Sequence, residues 1–147
     1  MTATLPLVLS YRPVAPDDAD FLYQLLLERP PEANISHRGM PSMEEHLAFM
    51  ESHPYAIWEI ILVDGWRVGA VYLVDSSIAG QKVSSIGIAV AEAYHHRGIG
   101  RQAVRDLMQR YPRTRFHANV APGNAASQRF FQSLGFRVIQ YTYAMEP

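Results

Sequence analysis

The sequence predicts a single α/β domain over residues 1–147, with the element order β-α-α-β-β-β-α-β-α-β. Three observations indicate this fold class. The chain has 147 residues, the size of one ordinary domain. Hydrophobic residues make up 48% and charged residues 18% of it, as in a globular protein with a buried core. The apolar pattern changes from strand-like runs in the middle of the chain to helical spacing after about residue 98.

The first predicted elements are a strand at residues 7–14, which ends at prolines, and a helix that Asp17 or Asp18 can cap. One helix face is apolar: Phe21, Leu22, Leu25 and Leu26. Residues 29–41 hold three prolines and a glycine, which predicts a loop.

Ser42 and Glu45 then have the spacing of a capping box, so a short helix is expected through about residue 51. Its inward side chains would be Met43, Leu47 and Met50. Three strands are predicted next, at residues 55–63, 67–74 and 83–91, with an Asp-Gly turn at 64–65 and a turn at 76–81.

The last third of the chain alternates helix and strand. Apolar spacing predicts a helix from about residue 99 to just before Pro112. A strand at 116–120, a helix at 124–134 and a final strand at 137–145 follow.

The composition limits the chemistry. The chain has no cysteine, which excludes disulfides, thiolate nucleophiles and zinc–cysteine sites. No apolar run is long enough to cross a bilayer, and the first residues lack a signal-peptide pattern. We therefore expect a cytoplasmic protein without a membrane partner. We also expect no metal, no nucleic-acid partner, and a monomer or homodimer.

The charge is unevenly distributed along the chain. Residues 1–92 hold 5 basic and 12 acidic side chains, a balance of -7, whereas residues 93–137 hold 8 arginines and one aspartate, a balance of +7. With Glu146 the net charge is -1. The basic segment favours a local anion site, although an exposed arginine-rich face would account for it as well.

A glycine turn stands between the third predicted strand of the middle region and the next helix. Gly98 and Gly100 allow close approach of a ligand, and a helix start offers unpaired N–H groups to a phosphate. Arg97 and Arg101 add positive charge. Close packing is the alternative reason for such glycines. The dinucleotide fingerprint is not met, because Ala103 stands at its third glycine position.

Two motifs together resemble the acyl-CoA-binding core of the GNAT N-acetyltransferase superfamily. The first motif, Gln/Arg-x-x-Gly-x-Gly/Ala, is matched by residues 95–100, with His95 in place of Gln or Arg. The second, an Asn followed by a helix that ends in Leu-Gly-Phe, is matched by residues 124–136. The spacing of Asn124 and Ser127 is similar to that in the branch of ribosomal-protein N-terminal acetyltransferases.

The resemblance implies acetyl-CoA as co-substrate and the GNAT fold. Its pantetheine arm would pair with a strand edge formed by Ile88, Ala89 and Val90. The pyrophosphate would bind at the glycine turn: His95, Arg97, Gly98, Ile99, Gly100 and Arg101. The second motif would contribute Asn124, Ser127 and Phe131, and Asn124 also suits a helix N-cap.

The implied reaction is direct acetyl transfer to an amine. Many family members protonate the leaving thiolate with a tyrosine, but that position is Phe131 here. Ser127 lies one turn earlier on the same helix face and is the candidate for stabilising the thiolate, unless it bonds back to its own helix. Asn119 could contact the acceptor. Residues 84–90 contain no carboxylate, which leaves water as a candidate base, and Glu59 and His117 lie on predicted strands from which they could act through water.

The resemblance also divides the chain into acceptor-side elements, about 1–75, and an acyl-CoA-binding core, about 83–137. Polar residues between 29 and 52 would wall the acceptor pocket: Glu32, His37, Glu44, Glu45 and His46. Protein N-termini, amino sugars, polyamines and aminoglycoside-like amines stay open as acceptors. The alternatives are a non-catalytic acyl-CoA-binding or regulatory domain, and a nucleotide-binding module around Gly98 and Gly100.

Overall fold

The computed structural model describes residues 7–33 and 39–147 and confirms the predicted mixed α/β fold class. The described strands are β1 (Ser10–Pro13), β2 (Ile57–Val63), β3 (Trp66–Ile78), β4 (Gln81–Val90) and β5 (Phe116–His117). The described α-helices are α1 (Ala19–Leu27), α2 (Met43–Glu51), α3 (Ile99–Arg110) and α4 (Ala125–Ser133). None of these helices is both long enough and apolar enough to cross a membrane.

The five strands form one sheet in chain order, and each of the first four is antiparallel to the next. β5 runs parallel to β4, with α3 as the crossover between them. These two strands pair only at Ser84 with Phe116 and at Ser85 with His117. Within residues 7–33 and 39–147, no strand therefore lies beside the outer edge of β4 from residue 86 to residue 90.

Two-residue turns join β2 to β3 and β3 to β4. Asp64, Gly65, Ala79 and Gly80 all have positive φ, between 51° and 81°. This is the turn geometry that matches the twist of paired antiparallel strands. The first turn is as predicted. The second is shorter than the predicted turn at 76–81, because β3 continues to Ile78 and pairs there with β4.

Helices cover both faces of the sheet. On one face α3 buries Ile99, Val104 and Leu107 in a cluster with side chains of β2, β3 and β4. On the other face α1 buries Leu22 and Leu25 against residues of β2 and β3. We call these the α3 face and the α1 face.

The start of α1 differs from the prediction of an aspartate cap. Asp18 stands at the N-cap position but makes no capping bond, and it is 1% exposed. Its carboxylate instead accepts hydrogen bonds from Arg12 at 2.7 and 2.8 Å, from Arg67 at 3.2 Å and from the N–H of Ala15 at 2.8 Å. Burial opposes its ionisation, but these donors outweigh burial and hold the pKa of Asp18 below its ordinary value. Asp18 thus ties β1 and β3 to the start of α1.

The capping box of α2 is confirmed, since Ser42 and Glu45 exchange two hydrogen bonds of 3.1 Å. The predicted inward face is only partly correct, because Leu47 is exposed and His46 is buried. The Nε2 atom of His46 lies 3.1 Å from the carbonyl oxygen of Ala19. This contact with the first residue of α1 turns His46 inward and Leu47 outward.

The predicted final strand at 137–145 is not formed. Residues 136–147 pair with no strand, and the side chains of Val138, Ile139, Tyr141 and Tyr143 are exposed. Alternating apolar residues favour a strand only where a neighbour can pair with them. β5 ends at His117 instead of residue 120, so it offers little edge for pairing.

Candidate functional site

The outer edge of β4 presents backbone groups at alternate residues. The N–H of Ser84 donates to the carbonyl oxygen of Arg115, 3.0 Å away, so the backbone of Ser84 faces β5. Because strand residues alternate in direction, the backbone groups of Ile86, Ile88 and Val90 point the same way. These backbone groups border the space beside residues 86–90 of β4 that β5 does not occupy. We call this space the β4 groove.

The three strand residues predicted to bind the cofactor therefore differ in position. Ile88 and Val90 direct their backbone groups into the β4 groove, whereas those of Ala89 face β3. Ile86 lies on the groove side and was missed in the prediction, although strand alternation counted back from Ile88 would have indicated it. The carbonyl oxygen of Val90 lies 2.7 Å from Nε2 of His95, so the groove ends at the glycine turn.

The glycine turn leads into α3 with free N–H groups. Gly98 occupies the N-cap position with a φ of 78°, a left-handed conformation that glycine adopts without strain. The first helical bond to its carbonyl oxygen comes from Gln102 at 3.1 Å. The N–H groups of Ile99, Gly100 and Arg101 consequently have no acceptor within the helix, as expected of a first turn. Together with the helix dipole they suit an anion.

Two arginines predicted at this turn have different surroundings. Arg97 is exposed, and its guanidinium lies 5.4 Å from the ring centroid of Tyr94. Arg101 donates to the hydroxyl oxygen of Ser133 at 2.6 Å and to its carbonyl oxygen at 3.2 Å. Arg101 therefore joins the start of α3 to the end of α4, besides carrying charge at the turn.

Asn124 and Ser127 lie at the start of α4. Asn124 acts as the N-cap, because its Oδ1 accepts a hydrogen bond of 3.1 Å from the N–H of Ser127. The hydroxyls of Ser52 and Ser133 donate to the carbonyl oxygen three residues earlier, at 2.6 and 2.7 Å. The Ser127 hydroxyl makes no such bond to any residue that the structure describes, so it is available to a ligand.

The two adjacent phenylalanines of α4 differ in position: Phe131 lies in the interior and Phe130 lies beside the glycine turn. Phe131 is 8% exposed and packs edge-on against Phe130 and Phe136, with centroid distances of 5.0 and 5.2 Å. The Phe130 ring lies 3.6 Å from the position that a β-carbon on Gly100 would occupy. Phe130, which the prediction did not include, thus packs next to the glycine turn. Two adjacent phenylalanines gave no signal to tell them apart.

The remaining predicted site residues are more dispersed. Asn119 is exposed on the segment after β5. Glu59 is paired with Arg110 at 2.7 Å, which leaves it bound to α3. The Nε2 atom of His117 accepts a hydrogen bond of 3.2 Å from Arg115.

Of the residues predicted for the acceptor wall, Glu45 and His46 make the structural contacts given above, and Glu44 is exposed. His37 lies outside the described residues. The β-carbon of Glu32 comes within 3.9 Å of the position that a β-carbon on Gly123 would occupy. The segment after α1 therefore reaches the turn that precedes α4, close to Asn124.

An open strand edge that leads to the positive end of a helix defines an α/β protein able to bind an extended chain carrying a phosphate. Comparison with protein-family models identifies the family within this class. The model of the acetyltransferase (GNAT) domain matches residues 9–137, and the chain belongs to that family. This confirms the resemblance found in the two motifs.

Solved structures share the fold. An acetyltransferase from Thermus thermophilus has a TM-score of 0.75 and 23% identity, over 91% of this chain and 90% of that chain. A ribosomal-protein-alanine N-acetyltransferase from Brucella melitensis has a TM-score of 0.68 and 21% identity, over 87% and 84%. The protein yncA from Salmonella typhimurium, solved with its cofactor acetyl-CoA, has a TM-score of 0.68 and 22% identity, over 90% and 81%. No curated protein sequence matches the chain significantly.

Proposed function

We propose that this protein transfers an acetyl group from acetyl-CoA directly to the primary amine of a small-molecule or peptide acceptor. The observation that carries the proposal is the open edge of β4 beside the first turn of α3. Family membership supports acetyl transfer as the general activity. The presence of acetyl-CoA in the structural neighbour from Salmonella typhimurium supports this donor.

We assign the parts of acetyl-CoA to backbone groups that no described residue engages. Ile86 and Ile88 would pair with the amides of the pantetheine arm, as an added strand pairs with a sheet edge. The N–H groups of Ile99, Gly100 and Arg101 would hold the pyrophosphate. His95, Arg97 and Gly98 complete this part of the site, and Val90 and Ala89 flank the arm.

Few side chains of the protein take part in the proposed acetyl transfer. The thioester supplies the activated acetyl carbon, and the amine attacks it directly, since the chain has no cysteine to form an acyl-enzyme. Ser127 would stabilise the departing thiolate, which the unengaged state of its hydroxyl supports. Asn119 would contact the acceptor. Phe131 has no proton to donate and would only pack near the pantetheine arm.

The acceptor would approach from the elements before residue 75, with the acyl-CoA core at about 83–137. Glu32 supports this division, because its β-carbon lies beside the turn before α4 and its carboxylate would favour a cationic amine. The Brucella melitensis protein is named as a ribosomal-protein-alanine N-acetyltransferase, which keeps a protein N-terminus among the acceptors beside amino sugars, polyamines and aminoglycoside-like amines. A cytoplasmic location and a monomeric or homodimeric state stay predictions.

The test is release of free thiol from acetyl-CoA in the presence of separate amines: a short peptide with an N-terminal alanine, glucosamine, and spermidine. Release that depends on both substrates is expected with at least one of them. Micromolar binding of CoA without release from any amine would favour the non-catalytic acyl-CoA-binding domain. Calorimetry that finds binding of NAD or ATP but not of CoA would favour the nucleotide-binding module.

A further inference from the structure

Tyr72 of β3 lies across Gly87 of β4. The two residues are register partners, and a β-carbon on Gly87 would overlap the outer ring carbons Cε1, Cε2 and Cζ of Tyr72. The ring thus extends from β3 over β4. Its hydroxyl is attached to Cζ, the ring atom nearest to the position of such a β-carbon, so it lies over β4 beside Gly87. Any residue other than glycine at position 87 would displace this ring.

The Tyr55 ring packs on the face of the Tyr72 ring. The two rings stack with centroids 4.0 Å apart and planes at 12°. Tyr55 itself packs edge-on against Trp58 at 4.9 Å and against Phe49 of α2 at 5.7 Å. Tyr72 is therefore enclosed between Gly87 and Tyr55. Burial and the neighbouring Tyr72 hydroxyl raise the pKa of Tyr55, so the two hydroxyls lie close together at the remaining edge of the Tyr72 ring.

The side chains of β4 determine from which face an acceptor can reach the groove. Ile86 and Ile88 pack in the apolar cluster under α3, which closes the α3 face. Gly87 and Ala89 lie on the opposite face, where neither has more than a methyl group, and Ala89 is exposed. An amine that attacks a thioester in the β4 groove would therefore enter from the α1 face, on which the Tyr72 ring lies.

We propose that Tyr72 is an acceptor-binding residue, whose hydroxyl oxygen accepts a hydrogen bond from the attacking amine. This inference rests on the proposed function. The hydrogen bond directs the nitrogen lone pair at the acetyl carbon. In the transfer the N–C bond forms and the C–S bond breaks, the amine loses one proton to water, and the CoA thiolate takes a proton from water. Tyr72 neither gains nor loses a proton.

The test compares Tyr72→Phe with the unchanged protein, using whichever of the three amines above gives the fastest thiol release. Phenylalanine keeps the stack on Tyr55 and removes only the oxygen. We expect kcat/KM for the amine to fall about tenfold, the effect of one lost hydrogen bond, with the CoA Kd unchanged and a small fall in the melting temperature, because the Tyr55 hydroxyl loses its neighbour. Tyr111→Phe is the matched control, because Tyr111 follows the far end of α3, and it should leave kcat/KM for the amine and the CoA Kd unchanged.

Two results would overturn the inference while leaving the proposed function in place: an unchanged kcat/KM in Tyr72→Phe, or an equal loss in CoA affinity, which would assign the hydroxyl to the cofactor. Absence of thiol release in the unchanged protein would overturn the proposed function, and this inference with it. Failure of the proposed function is distinguishable from failure of this inference, because it is measured with the unchanged protein before any variant is made.

Discussion

The Nε2 atom of His95 lies 2.7 Å from the carbonyl oxygen of Val90, so the residue that opens the glycine turn is bonded to the last residue of β4. The motif of the family has Gln or Arg at this position. Both of those side chains can also donate a hydrogen bond to a carbonyl oxygen. We infer that the position serves to hold the turn against the strand, so that the groove edge and the N–H groups of α3 keep a fixed relation.

His95→Ala is therefore expected to weaken CoA binding about fivefold, the effect of about 1 kcal/mol from one lost hydrogen bond. His95→Gln keeps a donor and should bind CoA nearly as well as the unchanged protein. Isothermal titration calorimetry measures both. Equal affinities of the alanine and glutamine variants would contradict the assigned role.

Gly100 provides a second test of the anion site. A β-carbon there would lie 3.6 Å from the Phe130 ring and from a Val90 methyl group, which is ordinary contact, so Gly100→Ala should be tolerated. Gly100→Asp adds a negative charge beside the N–H groups proposed for the pyrophosphate, and we expect CoA affinity to fall at least about tenfold. The same charge in Gln109→Asp, near the other end of α3, is the control. If the aspartate at position 100 leaves the CoA Kd unchanged, the pyrophosphate lies elsewhere.

Local signals in the sequence predicted most of the fold. The Asp64-Gly65 turn, the capping box of Ser42 and the helical spacing after residue 98 each depend on residues close in the chain, and each is confirmed. The final strand was wrong, because its formation depends on an edge that a distant segment must supply. The burial of His46 likewise depends on a contact with Ala19, 27 residues away.

In the candidate site, too, the features set by local sequence could be predicted and those set by distant contacts could not. The glycine turn and the cap at Asn124 are contiguous motifs, so their positions could be predicted from the sequence. Ile86, Phe130 and Tyr72 were missed. Their places follow from strand register and from packing between α4 and α3, which no single stretch of sequence contains.

Asp18→Asn tests the ion cluster that holds the acceptor-side elements to the sheet. At pH 7 we expect the free energy of unfolding to fall by about 2–3 kcal/mol, because Arg12 and Arg67 lose a charged partner that is buried. Since the pKa of Asp18 is lowered in the folded protein, its contribution is present above the unfolded pKa of about 4 and is lost as the pH falls through the folded pKa.

The difference between Asp18→Asn and the unchanged protein should therefore narrow below about pH 4, measured by urea unfolding at several pH values. Asp20→Asn is the control, because Asp20 is exposed in the first turn of α1 and should change the free energy of unfolding far less. A difference that stays constant down to about pH 2 would show that the charge of Asp18 is not what stabilises the cluster.

Ser127→Ala tests the proposed stabilisation of the thiolate. The variant removes a hydroxyl that bonds to no described residue, while the N–H that Asn124 accepts from is kept, so α4 should remain capped. We expect kcat for thiol release to fall about 100-fold, in the range of a lost hydrogen-bond donor to a developing negative charge, with little change in CoA Kd. Ser77→Ala, at the exposed end of β3, provides a serine-to-alanine control that should retain full turnover. If kcat and CoA affinity fall by the same factor, Ser127 contributes to holding the cofactor, and the departing thiolate is stabilised by solvent instead.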